Sequence, residues 1–349
     1  MDGIIAESGA EPDLLVQGGP EAGLKPYADI LEAARGELAK RVVGQREMID
    51  GLLMVLIAGG HILIEGTPGL AKTLAVKSLA EITGLSFKRI QFTPDLLPAD
   101  LTGTLVWQQA AGTFSVRRGP VFANVILADE INRAPAKVQS SLLEAMEERQ
   151  VTIGEASYPL PEPFFVLATQ NSIEHEGTYP LPDAELDRFL FKLLLRYPRP
   201  DEELAILALT SPFPGYGIES KVPPLQPVLN LQVLHTLRRI AEHIHIDEQI
   251  ARYIVSLVTA TRPDTGKNNR EGLHRYIFAG ASPRASIALY RCSRIQALFM
   301  GRSFVLPEDV KAVALPVLRH RIGLSYEAEA DGIDTDTVVS RILSLVPLP

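Results

Sequence analysis

Cysteine is nearly absent from this sequence, which has Cys292 as its single thiol in 349 residues. No disulfide can form within the chain, so a disulfide-stabilised fold is excluded and a reducing compartment fits the composition. The seven histidines are scattered, and the nearest two, His243 and His245, are not spaced as two ligands on one helix face. We therefore expect no histidine metal site.

Long apolar runs are also absent. The most apolar run, residues 51–64, is interrupted by a Gly-Gly pair, whereas a membrane-spanning helix needs about 20 residues. This run predicts a buried helix, a turn and a buried strand. The first 15 residues have no basic region ahead of an apolar core, so we expect no signal peptide and a cytoplasmic location.

Positive charge is in deficit, with 34 Lys and Arg against 42 Asp and Glu and a formal net charge of −8. This balance does not predict whole-chain attraction to nucleic acid or to an anionic membrane. A local basic patch remains compatible with it. The apolar fraction of 46% is ordinary for a globular protein, and the length predicts two domains.

What the sequence does contain is an alternation of strand and helix patterns. Short apolar runs predict five strands at 62–64, 87–92, 125–127, 164–168 and 189–195. Helical patterns between them favour a mostly parallel sheet covered by helices. Two hairpins are predicted within this region, at 104–117 and 151–159.

These patterns divide the chain into three parts. Residues 1–28 are acidic and rich in Gly and Pro, which predicts a disordered tail. Residues 29–198 form the predicted α/β domain. Helical patterns dominate from residue 199 onward, so 199–349 is predicted to be a separate all-α domain.

A phosphate-binding loop follows the first predicted strand, in Gly66-Thr67-Pro68-Gly69-Leu70-Ala71-Lys72-Thr73. Backbone N–H groups in such a loop form an anion cradle with the next helix, a lysine reaches the phosphates, and the following hydroxyl can ligate Mg²⁺. The general pattern has glycine before the lysine; Ala71 fits there if that position is already helical. An ordinary Gly-rich turn is the alternative, but the strand before and helix after favour phosphate binding.

Polar side chains follow two further predicted strands. Asp129 and Glu130 end an apolar strand, and two carboxylates there are costly unless they leave the core or meet cations. Asp129 fits a water-mediated Mg²⁺ ligand, and Glu130 fits a residue that polarises an attacking water. Asn171 follows the fourth strand at the same edge, where it would orient that water or contact a phosphate. Taken singly, a solvated strand end and a turn-forming asparagine are the alternatives.

Two arginines complete the candidate site. Arg188 precedes the fifth strand, and Arg284 follows Ser282-Pro283, a typical helix start. A cation in the first turn opposes the helix dipole by roughly a few tenths of a kcal/mol, which favours an anionic partner for Arg284. The alternatives are a solvated surface cation for Arg284 and, for Arg188, a salt bridge with Asp183, Glu185 or Asp187.

Together these segments resemble the AAA+ ATPases and, more narrowly, the MoxR family of the helix-2-insert clade. The resemblance runs from about residue 30 to residue 325 and rests on 66–73, 127–135, 170–171, 176–182, 186–189 and 280–285. It implies an AAA+ P-loop core, with a five-stranded parallel sheet and helices on both faces, followed by an all-α lid. The two predicted hairpins resemble the insert that defines the clade and the hairpin before its sensor 1.

The resemblance also implies how the chain would bind ATP or ADP with Mg²⁺. Lys72 would contact the phosphates and act in catalysis, and Thr73 with Asp129 would hold the metal. The other nucleotide contacts would come from the loop, and from a segment whose backbone touches adenine. They are Val43, Gly44, Gln45, Gly66, Thr67, Pro68, Gly69, Leu70, Ala71 and Leu74.

Glu130, Asn171 and Arg188 would act in hydrolysis, and Arg284 would contact the nucleotide. Asp129 and Glu130 would form Walker B, and Asn171 would be sensor 1. Arg188 would be the finger that reaches a neighbouring subunit's γ-phosphate, and Arg284 would be sensor 2 on the lid. A finger supplied in trans contributes about 10³–10⁵ in rate, which gives a ring, usually a hexamer, its rationale.

The resemblance implies a chaperone-like ATPase that remodels or matures partner proteins, often ones with a von Willebrand factor A (VWA) domain. Three alternatives stay open: a magnesium-chelatase-like ATPase subunit, a nucleic-acid motor and a slow nucleotide-gated scaffold. The net charge of −8 argues against the motor, and the intact Glu130, Asn171 and Arg188 argue against the scaffold. Trp107, in the first hairpin, would be a partner anchor if exposed, and a packing residue if buried.

Overall fold

The computed structural model of the chain describes residues 23–171, 178–210, 224–263 and 272–349. Most of the predicted acidic tail, residues 1–22, lies outside the described residues. So do residues 176 and 177, which belong to one of the segments that carry the family resemblance.

The first region, which we call the core, is an α/β domain. Its elements in chain order are α1 (Lys25–Ala39), α2 (Arg46–Ala58), β1 (Ile62–Glu65), α3 (Lys72–Thr83), β2 (Phe87–Gln91), α4 (Pro98–Thr102), β3 (Gly103–Gln108), β4 (Thr113–Arg118), β5 (Val125–Asp129), α5 (Ala136–Glu148), β6 (Gln150–Ile153), β7 (Ala156–Pro159), β8 (Phe165–Gln170), α6 (Asp183–Leu186) and β9 (Phe191–Leu194). The predicted tail of 1–28 extends too far, because α1 already begins at Lys25. Pro26 suits its first turn, where a missing N–H is no loss.

Five of these strands form one parallel sheet in the order β2-β5-β8-β1-β9. Alternate residues of a strand pack on opposite faces: Ile62 and Ile64 lie in one apolar cluster, and Leu63 lies in the other. Helices therefore cover both faces, which is why these strands read as continuous apolar runs. The predicted five-stranded parallel sheet is confirmed, and its parallel strands end at a common edge.

The core also contains two antiparallel hairpins, the second of which buries Val151 and Ile153 in one of the apolar clusters. β3 pairs with β4 and β6 pairs with β7, so the first hairpin is one residue longer at each end than the predicted range 104–117. Trp107 and Phe114 face each other across the first hairpin, with ring centroids 5.0 Å apart. Both rings are more than half exposed, at 54% and 64%, so Trp107 is not a buried packing residue.

The second region, which we call the lid, is mainly helical. Its elements are α7 (Pro200–Thr210), α8 (Leu231–His243), α9 (Glu248–Ala260), β10 (Ile277–Ala279), α10 (Pro283–Phe299), α11 (Pro307–Leu318), β11 (Gly323–Leu324), α12 (Tyr326–Ala330) and α13 (Thr335–Leu345). The helical prediction is confirmed, but the antiparallel pair β10–β11 was missed because strands of two or three residues carry no alternation. Within the described ranges, no helix is long and apolar enough to cross a membrane.

Side-chain caps fix where the lid helices begin. Asn230, Asp247 and Ser282 each accept a hydrogen bond from a backbone N–H in the first turn of α8, α9 and α10, respectively. Such caps satisfy donors that the helix itself leaves unpaired. Buried residues of α10 and of α2 belong to one continuous apolar cluster, so the lid packs directly on the core.

Candidate active site

The phosphate-binding loop connects β1 to α3 at the carboxyl edge of the sheet. Gly69 and Ala71 both have positive φ, +89° and +56°, and Ala71 precedes the first residue of α3. The condition under which alanine was expected to fit is therefore not met, since Ala71 is left-handed and not helical. Such a conformation costs an L-residue about 1–2 kcal/mol, so the loop holds backbone strain.

Lys72 closes the loop on itself. Its Nζ donates to the carbonyl oxygen of Gly66 at 2.7 Å, and the side chain is partly buried. Burial lowers the pKa of Lys72, and the nearby carboxylates of Asp129 and Glu130 oppose that shift. The ammonium is therefore held close to the position where a phosphate would meet the loop.

Asp129 ends β5 and is held by two neighbouring strands. Its Oδ1 accepts from the hydroxyl of Thr169 on β8 at 2.7 Å. Its Oδ2 accepts from both Nε and Nη2 of Arg89 on β2, at 3.0 and 2.6 Å. The carboxylate is thus oriented on both oxygens by partners that the sequence analysis did not identify.

Glu130 follows directly and has a positive φ of 57°. Its Oε2 accepts from Gln91 Nε2 at 2.8 Å and lies 3.3 Å from the Nε of Arg133. Its backbone N–H donates to the Thr169 hydroxyl at 2.8 Å, so Thr169 links the two acidic residues. The turn and these donors hold the Glu130 carboxylate beside the loop.

These residues enclose a cavity of about 410 Å³. It is lined by Pro68, Gly69, Leu70, Ala71, Lys72, Thr73, Leu74, Arg89, Asp129, Glu130, Thr169 and Asn171. The cavity thus joins most of the predicted loop with both acidic residues and Asn171, which is buried. Arg89 and Thr169 are additional. Arg89 and Gln91 are two positions apart on β2, so their side chains lie on the same face of the strand. The sequence does not connect them with Asp129, because that connection requires knowing that β2 lies beside β5.

Part of the predicted nucleotide set lies outside this lining. Gly66 donates its backbone N–H to the carbonyl of Gln170, and the Thr67 hydroxyl is buried with no hydrogen-bond partner among the described residues. In the segment Val43-Gly44-Gln45, the Gln45 amide donates to the carbonyl of Arg196 at 3.2 Å. The Glu202 carboxyl of α7 lies over Gly44, where a Cβ would come within 2.6 Å of it.

The two predicted arginines also lie elsewhere, and they meet on a single carboxylate. Arg188 Nε is 3.1 Å from Oε2 of Glu147, and Arg284 Nη2 is 2.7 Å from Oε1 of the same residue. We call these three residues the Glu147 cluster. The structure differs from both alternatives given by the sequence. Arg284 is an ion-paired cation and not only a solvated one, and the salt bridge of Arg188 is with Glu147 on α5 and not with an acidic residue of 183–187.

Asp187, beside Arg188, ties the core to the lid. Its Oδ2 accepts from the hydroxyl of Ser282, and its Oδ1 from Nε of Arg321, at 2.9 and 2.7 Å. The Arg321 side chain is only 3% exposed and also donates to the carbonyl of Phe189. Burial lowers the pKa of Arg321, and the Asp187 carboxylate opposes that shift. These bonds fix the backbone next to both arginines of the Glu147 cluster.

The donor set of the cavity suits a hard divalent cation. A carboxylate of Asp129 and a hydroxyl of Thr73 line the same space, and oxygen ligands of this kind suit Mg²⁺, which keeps waters and binds phosphate oxygens. Among the described residues there is no group of three or more His, Cys, Asp or Glu side chains placed to hold a metal.

Comparisons with known proteins agree with this geometry. Residues 61–191 match the family described as "ATPase family associated with various cellular activities (AAA)", and residues 270–342 match "AAA lid domain". The chain is 46% identical to Chaperone MoxR1 of Mycobacterium tuberculosis over 95% of its own length and 85% of the relative's. It is 31% identical to Protein MoxR of Methylorubrum extorquens, with coverages of 94% and 98%.

A solved structure is similar as well. A crystal structure of a Cytophaga hutchinsonii protein has a TM-score of 0.85 and 47% identity, and the match covers 93% of this chain and 97% of that one. The similarity therefore extends through both the core and the lid.

Proposed function

The chain belongs to the MoxR family of AAA+ ATPases, and from this premise we propose that it hydrolyses ATP with Mg²⁺. In this proposal the sites are shared between the subunits of a ring, usually a hexamer, and hydrolysis drives the remodelling or maturation of a partner protein. One observation carries the shared site. The loop and acidic residues line one cavity, whereas Arg188 and Arg284 are joined on Glu147 and do not line it.

The loop supports binding of the triphosphate. Its N–H groups and the start of α3 would hold phosphate oxygens, with Lys72 neutralising their charge. Thr73 and Asp129 would hold Mg²⁺, which supplies charge stabilisation of the phosphate oxygens when bound. The Lys72 ammonium donates to the Gly66 carbonyl at 2.7 Å, and in this proposal a phosphate oxygen replaces that carbonyl as the acceptor.

The acidic turn supports activation of water. In this proposal Glu130 accepts a proton from the attacking water at a carboxylate oxygen, and Asn171 orients that water. Gln91 and Arg133 both approach Oε2 of Glu130, so they fix the carboxylate. Thr169 keeps Glu130 in register with Asp129 through its two hydrogen bonds.

The Glu147 cluster supports action in trans. Two guanidinium groups share one carboxylate, so the cluster retains a net positive charge and can accept an anion from a neighbouring chain. We propose that Arg188 stabilises the charge on the neighbour's γ-phosphate, with Arg284 beside it on the lid.

A protein client is the proposed partner, and a VWA-domain protein is the finer proposal. The relative from Mycobacterium tuberculosis is named a chaperone. The hairpin β3–β4 exposes the aromatic pair Trp107 and Phe114, a type of side chain that frequently anchors protein interfaces.

Hydrolysis measured against protein concentration tests the shared site. With Mg²⁺ and ATP, the rate per subunit should rise with concentration in parallel with the assembled mass measured by light scattering. A substantial rate per subunit that stays constant while the chain remains monomeric would contradict the proposal. The metal requirement is checked in the same assay by chelation, which should abolish turnover.

A further inference from the structure

A second cavity, of about 510 Å³, lies between the core and the lid. The end of α2 at Ala58 and Gly59 lines it on the core side, and α8 and α10 line it on the lid side. β1 begins just after Gly59 and runs from there toward the phosphate-binding loop. The two cavities therefore lie at opposite ends of the same strand.

The walls of this second cavity carry four guanidinium groups and two carboxylates. They are Arg149, Arg238, Arg291, Arg294, Glu162 and Glu242. Arg238 and Glu162 form an ion pair at 3.8 Å, which is longer than a hydrogen bond, and the two carboxylates balance only two of the four guanidinium charges. Burial lowers the pKa of Arg238, and so do the charges of Arg149 and Arg291, whereas Glu162 and Glu242 oppose the shift. The cavity thus has a surplus of positive charge.

Three of the arginines have a structural task. Arg149, Arg238 and Arg291 donate to the carbonyl oxygens of Gly59, Leu56 and Ala58, at 2.7, 3.0 and 3.2 Å. These carbonyls belong to the C-terminal end of α2, where cations are favourable. Since each guanidinium has five N–H donors, capping uses only a part of what they offer.

Arg294 has no such task in the described contacts. Its Nη2 donates to the Tyr290 hydroxyl at 3.0 Å, and its guanidinium lies 4.5 Å from the centre of that ring. The Nε atoms of Arg294 and Arg238 are buried and have no hydrogen-bond partner in the described part of the chain. A buried donor without a partner is unfavourable, so the hydrogen bonding of these two side chains is incomplete in the described structure.

We propose that this cavity binds a small phosphate-bearing molecule, whose phosphate oxygens accept from Arg294, Arg238 and Arg291. The planar donor fork of arginine matches phosphate geometry. The volume lies within the range of small-molecule sites, and Ile287, Ile295 and the Tyr290 ring offer an apolar wall for the rest of the ligand. Because its walls belong to both regions, the bound molecule would bridge the core and the lid and favour one arrangement of the two.

Calorimetric titration with inorganic pyrophosphate tests this site in the full-length chain. The chain carries Lys72→Ala, which removes the loop lysine and makes the result independent of hydrolysis. We expect saturable binding that Arg294→Gln weakens about tenfold or more, since it removes a charge-assisted hydrogen bond. Arg252→Gln is the matched control, because Arg252 is a lid arginine that is 77% exposed and paired with Glu248. It should leave the affinity unchanged.

A second variant changes the affinity in the opposite direction. Glu242→Gln removes an exposed carboxylate from the cavity wall, so it should tighten pyrophosphate binding severalfold without disturbing the cap of α2. This arm remains informative if Arg294→Gln folds poorly, which its melting temperature would report.

Three results would overturn the proposal. The Lys72→Ala chain binds no pyrophosphate, or Arg294→Gln binds it as tightly as its parent, or Glu242→Gln fails to strengthen binding. Light scattering tests whether a second copy of the chain, and not a phosphate-bearing molecule, occupies the cavity. If Arg294→Gln lowers the assembled mass and no variant binds pyrophosphate, the cavity is an interface between copies and the proposal is wrong.

Discussion

The cavity lined by Lys72, Asp129 and Glu130, which we call the phosphate-binding cavity after its proposed role, and the Glu147 cluster are organised in opposite ways. In the cavity, each acidic side chain is held by strands of its own sheet, with Thr169 joining Asp129 to Glu130. In the cluster, two arginines from separate segments of the chain share the carboxylate of Glu147. The residues proposed to bind the nucleotide thus line one organised cavity, and the two predicted phosphate-sensing arginines lie apart from it.

The cavity and the Glu147 cluster also differ in how firmly their charged side chains are held. Arg284 and Glu147 are 50% and 38% exposed, and ion pairs of this exposure contribute roughly 0–1 kcal/mol. A phosphate from a neighbouring chain would replace such a partner at little cost. Asp129, only 15% exposed, instead receives two N–H bonds from Arg89 in addition to the Thr169 hydroxyl.

The largest expected effect tests whether the cavity and the arginine of one active site come from different subunits. Arg188→Ala should lower ATP turnover by about 10³–10⁵ while ATP affinity stays unchanged, because in the proposed site this arginine acts on the neighbouring subunit's nucleotide. Mixing Arg188→Ala with Lys72→Ala chains should restore part of the turnover, since one supplies the cavity and the other supplies the arginine. A mixture as inactive as its components would place Arg188 in the same chain's site. Arg252→Ala is the control.

Glu130→Gln tests the cavity alone. We expect turnover to fall by about 10²–10⁴, the usual contribution of a general base. ATP binding should persist, because glutamine keeps an oxygen that can accept from Gln91. ATP binding is measured by titration and turnover by phosphate release. Glu144→Gln, at an exposed position of α5, should change neither. Normal turnover in Glu130→Gln would show that another group activates the water.

Glu147→Gln tests whether the ion pairs with Glu147 compete with the binding of Arg188 and Arg284 to a neighbouring chain's phosphate. Removing a surface ion pair worth about 1 kcal/mol should raise the ATPase rate about fivefold at protein concentrations where assembly is incomplete. At saturating concentration the rates of variant and parent should converge. The neighbouring exposed residue provides the control, Glu148→Gln. A fall in the rate at every concentration would mean that Glu147 holds Arg188 in its active position.

The sequence predicted the cavity better than the cluster for a physical reason. Buried parallel strands produce continuous apolar runs, so the residues that follow them can be placed at one edge of the sheet. The partners of those residues depend on strand order. Arg89 and Thr169 meet Asp129 only because β5 lies between β2 and β8, which no local pattern reveals.

The cluster depends on contacts that are still more distant in the chain. Glu147 and Arg284 are 137 positions apart, and their contact requires the lid to lie against α5. Helical periodicity predicted the lid helices but contains no information on how the lid packs against the core. The conformation of Ala71 escaped prediction for the opposite reason, since it is set by the local turn of the phosphate-binding loop.

The smallest expected effect concerns where strain is stored. Three non-glycine residues in the described ranges have positive φ, and two of them, Ala71 and Glu130, line the phosphate-binding cavity. Ala71→Gly should therefore stabilise the chain by about 0.5–1 kcal/mol, because the left-handed cost of about 1–2 kcal/mol outweighs the extra entropy of glycine in the unfolded state. The melting temperature should rise by about 2 °C.

A matched substitution in an ordinary helix should act in the reverse direction. Ala33 is exposed in α1, where glycine costs about 1 kcal/mol, so Ala33→Gly should lower the melting temperature by a similar amount. Equal destabilisation by both substitutions would mean that Ala71 carries no strain. Opposite signs would show that the cavity is shaped by an unfavourable backbone conformation at Ala71, which the rest of the core sustains.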